Sequence, residues 1–128
     1  MKIKYLTLIV VAILGLGSIS ANAQETTTKI TKRFNYNLKS SYVCFVNNRY
    51  MGSEQIPVEV ENKTYYGCCE GCVGNLKKNR SLRYAKDPLT GNEVDKAKAY
   101  IVLKPRGKGE VLYFESRANY LKFYKLKG

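Results

Sequence analysis

The fold is decided by residues 65–76, which read Tyr65-Tyr66-Gly67-Cys68-Cys69-Glu70-Gly71-Cys72-Val73-Gly74-Asn75-Leu76. The paired tyrosines are typical of a β-strand, because aromatic side chains pack well on a pleated surface. The thiol and apolar side chains that follow recur at i, i+3, i+4 and i+7, which places them on one face of a short helix. They are Cys69, Cys72, Val73 and Leu76. The stretch predicts a strand that leads into a helix, with three cysteines at the junction.

A β-hairpin is predicted immediately before this junction. Residues 57–61 alternate apolar and acidic side chains, residues 62–63 offer a turn, and residues 64–66 are again β-prone. The second strand of the hairpin therefore ends just before Cys68. The helix after it contains two glycines, each of which costs about 1 kcal/mol relative to alanine, so contacts outside the helix must hold it.

The same order recurs downstream. Residues 99–103 and 111–114 predict two strands on either side of a turn at 105–109. Ser116 follows as a candidate N-cap, because its hydroxyl can accept a hydrogen bond from the first turn of a closing helix. A second hairpin-plus-helix unit is expected here.

The two units form an internal repeat. Residues 65–76 align without a gap on residues 112–123, and Leu76 pairs with Phe123, so we expect both side chains to be buried at equivalent positions. We expect a small α+β domain made of two β-hairpin-plus-helix units as a pseudo-repeat. Unit one spans residues 42–80 and unit two spans residues 87–126.

Only unit one has thiols. In the alignment, Glu115 and Asn119 occupy the positions of Cys68 and Cys72. A carboxylate and an amide are hard ligands that do not suit a soft metal ion. We expect unit two to bind no soft metal by itself.

The amino-terminal end has the pattern of a secretory signal peptide. A short basic start is followed by an uncharged, mostly apolar run and by Ala21-Asn22-Ala23 just ahead of Gln24. We expect residues 1–23 to be cleaved, which leaves a periplasmic or secreted protein that does not span the membrane. Residues 24–41 are expected to be a mobile lead-in, and residues 42–128 the domain.

The mature chain is strongly basic. Loss of Lys2 and Lys4 with the signal peptide reduces 22 basic residues to 20 against 10 acidic ones, a net charge of +10. In an exported protein this charge suits an acidic protein partner, an anionic envelope surface or anionic ligands. Because it is spread along the chain without a dense block, it is also typical of an ordinary solvated basic surface. The 11 tyrosines alternate along predicted strands as packing residues rather than as a base-stacking surface. We expect no nucleic-acid partner.

The chain has no histidine and four cysteines, Cys44, Cys68, Cys69 and Cys72. Three close cysteines on a turn, closed by one on a distant strand, are laid out like the ligands of a small metal site. The helix amino end and the nearby Lys77, Lys78 and Arg80 are expected to lower the cysteine pKa values. A thiolate set without histidine suits Cu(I) or Zn(II) and excludes Mg²⁺ and Ca²⁺ as intended guests.

At these residues the chain resembles the TRASH and YHS families of small heavy-metal-associated domains. Cys44, Cys68 and Cys72 fit the TRASH order of one cysteine, a long gap, and two ligands one helical turn apart. Residues 65–72 are similar to the YHS signature of an aromatic pair and a cysteine turn, and residues 87–91 look like the opening of a second YHS unit. The resemblance implies metal binding, handling or sensing, with copper favoured.

Two alternatives stay open. An oxidising compartment can pair Cys69 with Cys72 and Cys44 with Cys68, each bridge stabilising the fold by about 2–4 kcal/mol. The protein would then be a disulfide-stapled basic module that engages an acidic partner or an envelope surface. Alternatively, residues 69–72 form a redox dithiol at a helix amino end, although the βαβ pattern expected around such a motif is missing.

No motif indicates an enzyme. The sequence contains no Ser/His/Asp set, phosphate loop or paired-carboxylate site, and the lack of histidine disfavours most acid–base catalysis. The preferred prediction is an exported, non-enzymatic protein that handles or sequesters one soft metal ion. Its ligands would be Cys44, Cys68 and Cys72, with Cys69 as a candidate fourth.

Overall fold

The computed structural model describes residues 37–127, within which eight short strands pair as four antiparallel hairpins beside two α-helices. In chain order these are β1 (Val43–Cys44), β2 (Arg49–Tyr50), β3 (Ile56–Val60), β4 (Lys63–Gly67), α1 (Glu70–Lys78), β5 (Tyr84–Lys86), β6 (Glu93–Asp95), β7 (Tyr100–Leu103), β8 (Val111–Phe114) and α2 (Arg117–Lys127). The prediction of a small α+β domain is confirmed. The predicted signal peptide lies outside the described residues. Within residues 37–127, neither helix is long and apolar enough to cross a membrane.

The predicted hairpin is present as β3–β4, but its two-residue turn lies one residue earlier than the predicted 62–63. Glu61 and Asn62 both have positive φ, of 53° and 59°, as a type I′ turn requires. The turn sets a register in which Val58 lies opposite Tyr65. Both side chains are buried, so this hairpin turns one face to the core and ends at the cysteines.

One main core joins the two halves of the described chain. Its buried members are Val43, Phe45, Val58, Tyr65, Val73, Leu76, Ile101, Val111 and Tyr113. At its centre the ring of Phe45 packs edge-on against Tyr65, at 6.2 Å between centroids, and against Tyr113, at 6.0 Å. A smaller cluster forms where Tyr120 of α2 packs on Val102 of β7 and Phe114 of β8. Since the main core draws on both halves, neither half encloses its apolar surface alone.

The two halves have the same order of elements. Each begins with a short 3₁₀ turn, Ser40–Tyr42 or Arg80–Arg83, and continues with two hairpins and a helix. The alignment made from the sequence places the end of β4 on the end of β8 and the first residue of α1 on that of α2. The hairpins β1–β2 and β5–β6 were not predicted, and the predicted start of unit two at residue 87 falls between β5 and β6.

The predicted equivalence of Leu76 and Phe123 is wrong in its burial. Leu76 is fully buried in the main core, whereas Phe123 is half-buried and packs at 5.5 Å on the ring of Phe114 in the smaller cluster. The reason is that α1 packs on both strands of its hairpin, while α2 packs mainly on β8.

Part of the predicted lead-in is hydrogen-bonded to the domain. The backbone N–H of Leu38 donates to the carbonyl of Ile101 at 2.8 Å, and the Ile101 N–H donates to Asn37 Oδ1 at 2.9 Å. The N–H of Gln55 donates to the carbonyl of Ser41 at 2.8 Å. These bonds tie residues 37–41 to β7 and to the segment before β3.

Candidate metal centre

Three thiols from two distant segments meet at one point. Cys44 ends β1, Cys68 follows β4, and Cys72 lies in the first turn of α1. The backbone N–H of Phe45 donates to the carbonyl of Tyr66 at 2.9 Å, which holds the end of β1 beside β4. The three Sγ atoms lie within 4.8 Å of one another.

The spacing of the sulfurs matches a shared soft ion. The Sγ of Cys72 lies 4.0 Å from that of Cys44 and 3.6 Å from that of Cys68. A metal–sulfur bond of about 2.3 Å places two sulfur ligands of one ion roughly 4 Å apart. All four cysteines are free thiols in the structure. The predicted ligands Cys44, Cys68 and Cys72 therefore already stand at ligand distances.

Cys44 lies fully buried in a cradle of hydrogen-bond donors. Burial raises the pKa of its thiol, but the backbone N–H groups of Asn47, Cys68 and Val46 and the Cys68 thiol outweigh burial and lower it. The side chain of Asn47 also donates to the Sγ of Cys68 at 3.4 Å. Of the three converging thiols, Cys44 is the one that ionises most readily.

The other two thiols resist ionisation. The Cys44 thiol and burial raise the pKa of Cys68, and burial with the Cys69 and Cys68 thiols raises that of Cys72 to about 12. The prediction that the helix amino end and nearby basic residues lower the pKa values is wrong for this pair, because crowded thiols disfavour a second negative charge. A bound cation removes that penalty.

Cys69 lies outside the group of three. It immediately precedes α1, and its side chain is exposed. The backbone N–H and thiol of Cys72 are the main causes of a lowered pKa at Cys69. The structure thus separates three converging thiols from one accessible thiol beside them. The role of Cys69 as fourth ligand stays a prediction.

Lys96 is a residue of this region that the sequence did not indicate. Its ammonium donates to the carbonyl of Phe45 at 2.8 Å and to Asn48 Oδ1 at 2.7 Å, and only 3% of the residue is exposed. Burial lowers its pKa to about 8, although the charge of Cys44 opposes this. In the sequence, Lys96 stands among charged residues that resemble an ordinary surface turn.

The second half holds a polar counterpart of the thiol centre. Asp87 follows β5, and its Oδ1 accepts from the backbone N–H groups of Leu89, at 2.7 Å, and Thr90, at 3.4 Å. Its Oδ2 accepts from the N–H of Glu115 at 2.8 Å. Cys44 accepts from the corresponding three backbone N–H groups. They are those of Val46 and Asn47, two and three residues after Cys44, and that of Cys68, which aligns with Glu115. Asp87 therefore occupies the position in the second half that corresponds to Cys44 in the first half.

An amide completes this second group. Asn119, which aligns with Cys72, donates from Nδ2 to Asp87 Oδ2 at 2.8 Å and to Glu115 Oε2 at 3.0 Å. Hydrogen bonds thus join the three side chains. The alignment indicated Glu115 and Asn119 but missed Asp87, because it covered only residues 65–76 and the hairpin turn ahead of it differs in length between the halves, at 61–62 and 104–110.

Comparisons of this chain with protein-family models, curated proteins and solved structures find no match. The resemblance to the TRASH and YHS families consequently rests on the sequence motifs alone. What the thiol centre can do follows from its own geometry.

Proposed function

We propose that this protein binds one soft metal ion, Cu(I) or Zn(II), through the thiolates of Cys44, Cys68 and Cys72. The observation that carries the proposal is the convergence of three Sγ atoms from distant segments within 4.8 Å. Three thiolates suffice for Cu(I), whereas Zn(II) takes a fourth ligand, for which Cys69 is the nearest candidate. The absence of histidine from the chain and the family resemblance favour copper.

The protein's role is metal handling or sequestration outside the cytoplasm, without catalysis. Export rests on the basic start, apolar run and Ala21-Asn22-Ala23 of the sequence. The positive charge of the mature chain suits an acidic protein partner or an anionic envelope surface as its surroundings.

The two halves are copies of one unit, of which only the first carries a metal centre. The shared order of elements and the matching donors around Cys44 and Asp87 support this. In the second copy, the amide of Asn119 bridges the two carboxylates where a metal would join thiolates. In unit two, hydrogen bonds among these three side chains therefore take the place of a metal.

Anaerobic titration of the reduced mature protein with Cu(I) or Zn(II) tests the function. We expect about one equivalent to bind, with release of protons from the thiols. Cys44→Ser, Cys68→Ser and Cys72→Ser should each weaken binding sharply, and Cys69→Ser less so if three ligands suffice. No uptake by the reduced wild-type protein, or equal uptake by all four variants and wild type, would contradict the proposal.

A further inference from the structure

We propose that Lys96 is a built-in counter-cation of the metal–thiolate centre, a positioning residue that stabilises bound metal through its buried positive charge. The inference rests on the proposed function, since it concerns the same site. It assigns to the second half of the chain a direct part in metal binding by the first half.

The side chain of Lys96 crosses from one half to the other. The residue directly follows β6, and its ammonium lies against the β1–β2 loop, where it bonds the carbonyl of Phe45 and the amide oxygen of Asn48. Phe45 is the residue next to the ligand Cys44. The ammonium therefore lies beside the backbone that carries the most buried thiol.

The charge of Lys96 has no carboxylate partner among the ion pairs of the described residues. The neighbouring Asp95 pairs with Lys63 at 2.6 Å instead. The other contact of the ammonium is the ring of Tyr113, 5.1 Å from Nζ, which stabilises a cation weakly. A buried ammonium with neutral partners alone is costly, because hydrogen bonds to neutral groups replace only part of its hydration.

The thiol centre supplies the missing negative charge when a metal is bound. Three thiolates outnumber the positive charge of Cu(I) or Zn(II), so the loaded centre is a net anion inside the protein. Cys44 already interacts electrostatically with Lys96. The cation and the loaded centre consequently stabilise each other, whereas without the metal the hydrogen-bond partners of the ammonium are both neutral oxygens.

Zn(II) affinity, measured by competition with a chromophoric chelator on the reduced mature protein, tests the inference. Lys96→Met removes both charge and hydrogen bonds, and Lys96→Gln removes the charge but keeps an amide donor. Lys98→Met is the matched control, because Lys98 is an exposed lysine two residues away and its loss changes the net charge equally. We expect both Lys96 variants to bind about ten-fold more weakly or worse than Lys98→Met, as loss of a unit charge beside a buried anion predicts.

Urea unfolding of the metal-free variants separates this role from a structural one. Weakened affinity in a Lys96 variant that stays folded supports the inference. Affinity equal to that of Lys98→Met, retention of full affinity by Lys96→Gln, or loss of the fold in both Lys96 variants would overturn it. If wild type and Lys98→Met do not bind Zn(II), the same series is measured with Cu(I), and failure to bind either ion would contradict the proposed function and the inference with it.

Discussion

At the scale of single residues, the three converging thiols of Cys44, Cys68 and Cys72 differ in how readily they lose their protons. Cys44 is supported by backbone donors, whereas Cys68 and Cys72 have raised pKa values because other thiols and burial surround them. Without a metal, the thiols of Cys68 and Cys72 therefore remain protonated at neutral pH. A soft cation must displace these protons to bind, so the crowding that opposes ionisation couples metal binding to pH.

This coupling predicts a steep pH dependence of affinity. The thiols of Cys68 and Cys72 are protonated in the metal-free protein below their raised pKa values and unprotonated when metal is bound. Affinity should therefore rise with pH, by at least about 100-fold per pH unit, since binding displaces at least these two protons. Competition titrations between about pH 6 and 8 measure the slope. An affinity independent of pH would mean that the bound metal does not use these two thiols.

Asp87 is the buried carboxylate that accepts the hydrogen bonds joining β8 and α2 to the end of β5. Burial opposes its ionisation, but hydrogen bonds from Asn119 and three backbone N–H groups outweigh burial and lower its pKa. A carboxyl whose pKa is lowered on folding stabilises the protein above its ordinary pKa, and that stabilisation disappears as pH falls through the lowered value.

Asp87→Asn should therefore cost about 2–3 kcal/mol of unfolding free energy at neutral pH, since hydrogen bonds to a charged group are lost. The cost should shrink as pH falls from the ordinary pKa of an aspartate towards the lowered pKa of Asp87, because the unfolded wild-type chain takes up its proton first. Urea unfolding at about pH 7 and pH 3 measures both. Glu54→Gln, which removes an exposed carboxylate paired with Lys39 at 2.9 Å, serves as the control for a surface ion pair, which contributes little to stability. An equal cost at both pH values would show that the charge is not what matters.

Among the elements, the convergence of the three thiols depends on how closely β4 approaches α1. Gly67 ends β4, and a Cβ added there would lie 2.9 Å from the Cβ of Cys72 and 3.2 Å from the backbone N of Val73. Only glycine permits this approach without displacement. Contact with β4 therefore stabilises α1 in spite of its two glycines. The same contact places the Cys72 thiol beside that of Cys68.

Gly67→Ala should push α1 away from β4. Overpacking of this kind costs about 1–3 kcal/mol, and metal affinity should fall because the thiols separate. Gly74→Ala is the matched control, since nothing lies within 4 Å of a Cβ at Gly74 and alanine favours a helix by about 1 kcal/mol. Unfolding and Zn(II) titration of both variants check this. Equal stability of the two would contradict the close-approach role of Gly67.

At the scale of the whole molecule, the sequence predicted the parts that local patterns determine. The alternation in β3, the turn before β4 and the spacing of apolar residues in α1 are each contained in a few neighbouring residues. The clustering of Cys44 with Cys68 and Cys72 was inferred from the layout of metal sites.

Long-range features escaped prediction for physical reasons. The strands β1 and β2 have two residues each, too few for a period to be visible. Lys96 acquires its role only through a fold that carries its side chain to Phe45. Phe123 was expected in the core because it aligns with Leu76. Burial depends on what covers a helix, and α2 packs on the smaller cluster with β7 and β8 rather than on the main core.

Whether the protein carries a soft metal on its thiols is decided by its mass after isolation from its native compartment, measured under non-denaturing and then denaturing conditions without reductant. We predict a chain that begins at or near Gln24, carries one soft metal ion, and has all four cysteines reduced once the metal is removed. A metal-free chain whose mass shows two intact disulfides would contradict the metal centre.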